Sequence, residues 1–156
     1  MVTEIRGDQD PNDTLGEWIE IYNASGGPVE MTGLRMDLRS LDGSKSARID
    51  VRSPGLTLPA RGYFVIGNSL PGEEPTYVDF GWGLSLTGSL YGAAVLELRG
   101  CGELIDEVLW RNLPTTGSLQ LSGSATPNAT TNDQESAFCQ SADPAGTPQQ
   151  ENPSCP

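Results

Sequence analysis

The 156-residue chain contains no histidine. That removes the commonest general base, the commonest metal ligand and every Ser-His or Cys-His nucleophile arrangement. No apolar run approaches the ~20 residues that span a bilayer, so direct membrane insertion is not expected. Basic residues are scarce: nine Lys and Arg stand against 21 Asp and Glu, a formal charge of −12. Phosphate backbones and anionic lipid surfaces both require positive charge, so neither nucleic acid nor such a membrane is an expected partner. Cysteine occurs three times, at Cys101, Cys139 and Cys155, without the close spacing of a zinc knuckle or a CxxC redox motif. Gly-rich phosphate loops and nucleophile elbows are missing too. The opening "MVTEIRGDQDPND" has neither a basic start nor an apolar core, so export would need a leader already removed or a longer parent chain.

What the chain does have is punctuation. Nineteen Gly and twelve Pro accompany 36% hydrophobic residues, and apolar positions alternate by two between clusters of turn residues. Strands are expected at Val2–Arg6, Glu17–Asn23, Leu34–Arg39, Ala47–Arg52, Gly62–Gly67, Ala94–Arg99, Leu104–Trp110 and Ser118–Leu121. Little reads as helix. The pattern predicts one all-β domain, an antiparallel sandwich or barrel. From Ser122 onward the composition shifts to Ser, Thr, Asn, Gln and Pro, which reads as flexible linker unless Phe138, Cys139 and Cys155 anchor it.

The stretch "LRMDLRSLDGSKSARIDVR" specifies its own register. Asp42-Gly43 between two alternating arms signals a two-residue type I′ hairpin. Met36 then faces Ile49, and Leu38 faces Ala47, on the apolar side. Arg35 falls opposite Asp50 and Asp37 opposite Arg48 on the other. Slipping the turn by one step on each arm would set like charges against each other, which is unfavourable. Six of the nine basic residues lie between Arg35 and Arg61, and this pairing makes them a self-neutralising solvated face. A second hairpin, "AVLELRGCGELIDEVLW", turns at Gly100-Cys101-Gly102.

Four groups of residues invite a chemical reading. In "GEWIEIYN" alternation puts Glu17, Ile19 and Ile21 on one face, and Trp18, Glu20 and Tyr22 on the other. Glu17 and Glu20 therefore diverge, and the aromatic pair around Glu20 is a candidate ligand or partner surface. "GDQDPNDT" offers Asp8, Asp10, Asn12 and Asp13 as oxygen ligands, a loose calcium site lacking the glycine and terminal Glu of an EF-hand. "DFGWGLSLTGSLYG" carries Trp82 and Tyr91 on a long connection, a candidate binding loop or a cap over the end of the fold. In an acidic, Lys-poor, turn-rich chain suited to an extracellular setting, Cys139–Cys155 is the favoured disulfide because it staples the tail. Cys101–Cys139 stays open as the alternative.

The order of motifs resembles the lamin-tail domain, in its bacterial extracellular form. The stretches that carry the likeness are "VTEIRGDQDPND", "GEWIEIYNASGGPVEMTGLRM", "LTLPARGYFVIGNS", "LYGAAVLELRGCGELIDEVLW", "GSLQL" and "TNDQESAFCQSADPAGTPQQENPSCP". Departures are Pro59-Ala60-Arg61-Gly62 in place of a tighter P-G turn, Phe138 in place of Trp, and Gln149 in place of a glycine. The resemblance implies an immunoglobulin-like antiparallel β-sandwich spanning residues 1–156, with residues 122–156 an irregular segment packed back onto the body. It implies no catalytic set and no required cofactor.

The function expected on these grounds is a non-catalytic extracellular or cell-surface module for attachment or structure, whose sharper form is a self-assembling subunit of a filament or surface layer. Its partners would be proteins, copies of itself, or a cell-envelope or glycan surface. The alternative is a calcium- or carbohydrate-binding accessory domain of a secreted hydrolase. An enzyme working through carboxylates would need Asp or Glu residues converging from distant positions, and no local motif shows such a set.

Overall fold

Alternating apolar residues close two sheets over one core in the computed structural model, which describes residues 1–9 and 13–156. The strands are β1 (Val2–Arg6), β2 (Trp18–Tyr22), β3 (Val29–Glu30), β4 (Arg35–Ser40), β5 (Ser46–Asp50), β6 (Thr57–Leu58), β7 (Tyr63–Gly67), β8 (Phe80–Gly81), β9 (Ala94–Gly100), β10 (Glu103–Trp110), β11 (Leu119–Leu121) and β12 (Phe138–Gln140). A six-stranded sheet runs β12-β11-β1-β2-β7-β8, a four-stranded sheet runs β10-β9-β4-β5, and β3 pairs with β6. All pairs are antiparallel except β7–β8. The fold is an all-β, immunoglobulin-like sandwich.

Ile19 and Ile21 of β2 and Phe64 and Ile66 of β7 point inward from the first sheet. Met36 and Leu38 of β4, Ile49 of β5, Leu96 and Leu98 of β9, and Val108 and Trp110 of β10 meet them from the second. Each such side chain contributes about 1.5–3 kcal/mol on burial. Trp110 Nε1 donates to the Tyr91 carbonyl at 2.8 Å, so this buried ring leaves no polar atom unpaired. The strands missed by alternation, β3, β6, β8 and β12, have two or three residues, too few to show a period of two.

The β4–β5 hairpin has the expected register: Arg35 opposite Asp50, Met36 opposite Ile49, Asp37 opposite Arg48 and Leu38 opposite Ala47. Its turn differs. Ser40 pairs with Lys45 and Gly43 N–H donates to the Ser40 carbonyl, making a four-residue loop in which only Gly43 is left-handed, at φ 72°. The Asp42 carboxylate explains the change, because it accepts from Ser40 Oγ at 2.7 Å, Ser44 N–H at 2.9 Å and Ser44 Oγ at 2.8 Å. These bonds lower its pKa to about 2. The β9–β10 hairpin instead has the two-residue loop Cys101-Gly102, with φ of 52° and 87°, the double left-handed geometry of a type I′ turn.

The solvent face of the four-stranded sheet is an ion-pair lattice. Asp37 holds Arg35 and Arg48, each at 2.8 Å, and Glu97 holds Arg39 at 2.8 Å and Arg99 at 2.6 Å. Exposed pairs of this kind contribute at most about 1 kcal/mol each. Their main effect is to neutralise the basic cluster.

Candidate functional site

The outer face of the six-stranded sheet carries Trp18, Glu20 and Tyr22 from β2, beside Tyr63 and Val65 from β7. An outward strand face with this composition would ordinarily be wet. Here Trp18 is 1% exposed and Glu20 is 0% exposed. Directly across β1–β2, Glu20 is paired with Glu4, which is also fully buried. Two carboxyl groups from positions sixteen residues apart therefore lie side by side.

What covers them is the C-terminal segment 144–155. Arg6 Nε donates to the Pro144 carbonyl at 3.2 Å. Glu4 accepts from Thr147 N–H at 3.1 Å and from Ser118 Oγ, and Glu20 accepts from Gln149 N–H at 2.7 Å and Thr3 Oγ1 at 2.8 Å. Asn152 Nδ2 donates to the Thr3 and Leu121 carbonyls, both at 3.0 Å, and Gly123 N–H donates to the Pro153 carbonyl at 3.0 Å. Gly146 lies so close to the sheet that a Cβ there would sit 2.6 Å from Glu4 Oε1 and 3.0 Å from Trp18 Cζ2. The strap is tied at its end by the Cys139–Cys155 disulfide, with an S–S distance of 2.12 Å. Cys101 is free and exposed at its hairpin tip.

Burial dominates the protonation of both acids. It raises the Glu20 pKa to about 8, opposed by the Thr3 hydroxyl and reinforced by the neighbouring Glu4. Burial raises Glu4 as well, against its bonds from Ser118 and Thr147. The hydroxyl geometry agrees. Thr147 Oγ1 lies 3.0 Å from Glu4 Oε2 and 2.7 Å from Asn152 Oδ1. A hydroxyl has one proton, and Asn152 has both amide hydrogens engaged elsewhere, so it can only accept. A proton on Glu4 Oε2 lets Glu4 donate to Thr147 and Thr147 donate to Asn152, leaving no acceptor facing an acceptor. The pair thus acts as a fastening for backbone and hydroxyl groups of the strap.

The other carboxylates singled out in the sequence have separate roles. Glu17, 5% exposed, accepts from Leu90 N–H at 2.6 Å and Asn68 Nδ2 at 3.0 Å. It holds the 82–90 connection, whose Trp82, Leu86 and Leu90 are buried over the core. Trp18, Glu20 and Trp82 are therefore corrected from partner surface to interior: the strap covers the first two, and Trp82 caps one end of the sandwich. Tyr22 and Tyr91 remain half-buried, and Tyr91 lies under Lys45, whose Nζ is 5.8 Å from the ring centre. Of the candidate calcium ligands, Asp13 is engaged by Arg6 NH1 at 2.6 Å and NH2 at 3.1 Å. Asp8 accepts from Ser89 Oγ at 2.7 Å. Asp10 and Asn12 lie outside the described residues. Among the described residues no cluster of three or more His, Cys, Asp or Glu is arranged to hold a metal ion.

One part of the outer face stays open. Past Glu20, the strap and the segment after β11 leave a cleft of about 260 Å³ lined by Thr3, Tyr22, Arg61, Tyr63, Glu151 and Asn152. Tyr22 and Tyr63 are cross-strand partners with ring centres 5.0 Å apart and planes tilted by 44°. Burial, with the nearby Glu20, pushes the Tyr63 pKa up to about 12, so its phenol remains a neutral donor. Arg61 has a left-handed backbone, φ 57°. Sequence reasoning found Tyr22 but missed Glu4, Tyr63, Arg61 and Thr147. The available signal was Glu4 itself, a charge in the middle of the strand-like "VTEIR".

No helix among the described residues is long and apolar enough to cross a membrane. Compared with protein-family models and with curated proteins, the chain matches none.

Proposed function

We propose that this is a non-catalytic module of the lamin-tail type, used outside the cell for attachment or structural support. The observation that carries this reading is the fate of the buried Glu4–Glu20 acid pair. Glu4 and Glu20 are sealed beneath the strap and engaged by backbone and hydroxyl donors, where a reacting group would need an approach from solvent. Two further features support the lamin-tail resemblance. Both departures from the family's glycine-bearing turns, Arg61 and Gln149, fall at left-handed φ, 57° and 64°, the conformation that glycine adopts freely. The fold-back of the tail expected from "GTPQQEN" is also present. The disulfide is compatible with an oxidising, extracellular setting.

Self-assembly through strand pairing is the less supported form of this proposal. β8 and β12, the edges of the larger sheet, are two and three residues long. β10 carries a bulge between Leu104 and Asp106 that turns the Asp106 carboxylate inward, and β5 is flanked by Lys45 and Arg52. Such features block edge pairing. Size-exclusion chromatography with electron microscopy, followed by binding to isolated cell envelopes, tests the reading. Envelope binding by a monomer supports attachment, filaments support the assembly form, and turnover of an envelope polymer would overturn both.

Carbohydrate binding is the second reading, and the open tyrosine cleft is what favours it. Calcium has no comparable support, since Asp13 is committed to Arg6.

A further inference from the structure

We infer that the cleft bounded by Tyr22, Tyr63, Arg61 and Glu151 is a binding site for one neutral pyranose residue, such as the exposed end of a glycan. The inference rests on the reading that this module binds rather than reacts. It identifies the ligand class and the residues.

The tyrosine rings supply the apolar part of the site. Their tilt of 44° makes a shallow angle rather than a stacked pair, which leaves ring faces for the C–H side of a sugar. The polar rim supplies one cationic and one anionic group, Arg61 and Glu151, both exposed. Together they can bridge neighbouring hydroxyls without imposing a net charge on the ligand. At about 260 Å³ the cleft is too small for an extended polymer segment and suits a single ring. With a chain charge of −12, an anionic sugar would meet long-range repulsion.

Arg61 adds an independent observation. Its φ of 57° is one that glycine takes freely and an arginine takes only at a cost. A side chain kept on a strained backbone at the rim of a cleft is a recurrent mark of a working position. The same geometry provides a clean control. Arg61→Gly removes the guanidinium while relaxing the backbone, so a loss of binding cannot be attributed to misfolding.

The test is an amide NMR titration of the intact, disulfide-bonded chain with glucose, galactose, mannose and N-acetylglucosamine, alongside glucuronate. At least one neutral sugar should shift the Tyr22, Arg61, Tyr63 and Glu151 amides, with a Kd on the order of 1 mM. Arg61→Gly and Tyr22→Ala should each weaken that binding about tenfold while the core methyl spectrum is preserved. Absence of shifts at these amides, binding unchanged in Arg61→Gly, or tighter binding of glucuronate than of every neutral sugar would overturn the inference. Silence toward sugars by a protein that still binds envelopes defeats the sugar site alone. Chemical conversion of the titrated sugar defeats the non-catalytic reading beneath it.

Discussion

Between about pH 4.5 and 8 the folded chain holds a proton on Glu20 that the unfolded chain releases. The sign follows directly: a carboxyl with a raised folded pKa binds more protons folded than unfolded, so stability falls as pH rises through this window. The contribution is fully present below about pH 4.5 and lost by about pH 8. Glu20→Gln removes the titration while retaining an acceptor for Gln149 N–H, and should flatten the fall. Thermal unfolding from pH 4 to 9, wild type against variant, checks this. A parallel decline in both proteins would place the pH dependence elsewhere. Thr147→Val deletes the hydroxyl linking Glu4 to Asn152 at constant shape and leaves two buried polar atoms without it. A loss of about 1–3 kcal/mol in urea unfolding is expected. At this scale sequence reasoning asked about the right residue and rightly parted it from Glu17, but did not find its neighbour. Alternation separates Glu20 from Glu17, as read, but Glu4 reaches Glu20 only through the β1–β2 register, which contains a bulge between Val2 and Glu4.

At the scale of elements, legibility tracked redundancy. The β4–β5 register was readable because apolar face and charge pattern agreed. It survived an error in turn type because a four-residue loop centred on the same point keeps every pair. Type I′ geometry went to Cys101-Gly102 instead, since the second hairpin has no Asx-type side-chain bonds holding its first turn residue at negative φ. The strap was not readable from composition. Its polar residues look like a linker's, and what fixes them is hydrogen bonding to partners on the sheet, with Asn152 alone among them buried. Its contact with the segment after β11 can be probed sterically. A Cβ on Gly123 would lie 1.9 Å from the Asn152 carbonyl oxygen, a backbone atom that cannot rotate away. Gly123→Ala should therefore lift the strap, costing about 1–3 kcal/mol. Tryptophan fluorescence should shift to the red as Trp18 is wetted, whereas an unshifted spectrum would mean that the strap is not what buries it.

At the scale of the molecule, two sheets form the core and a disulfide-tethered strap finishes the outer face. The Cys139–Cys155 bridge spans 16 residues of sequence, for which the chain-entropy relation gives about 3 kcal/mol. Replacing both with serine should lower stability by that order in denaturant titration, while Cys101→Ser should leave it nearly unchanged because its side chain is exposed at a hairpin tip. The central claim is that Glu4 and Glu20 fasten the strap. Amide hydrogen exchange at Thr147 and Gln149, the two strap amides these acids receive, tests it most directly. The account predicts protection near the level of the core strands at pH 5 to 6, with protection factors falling toward pH 8 as Glu20 ionises beneath the strap. Exchange at free-peptide rates across that range would contradict it.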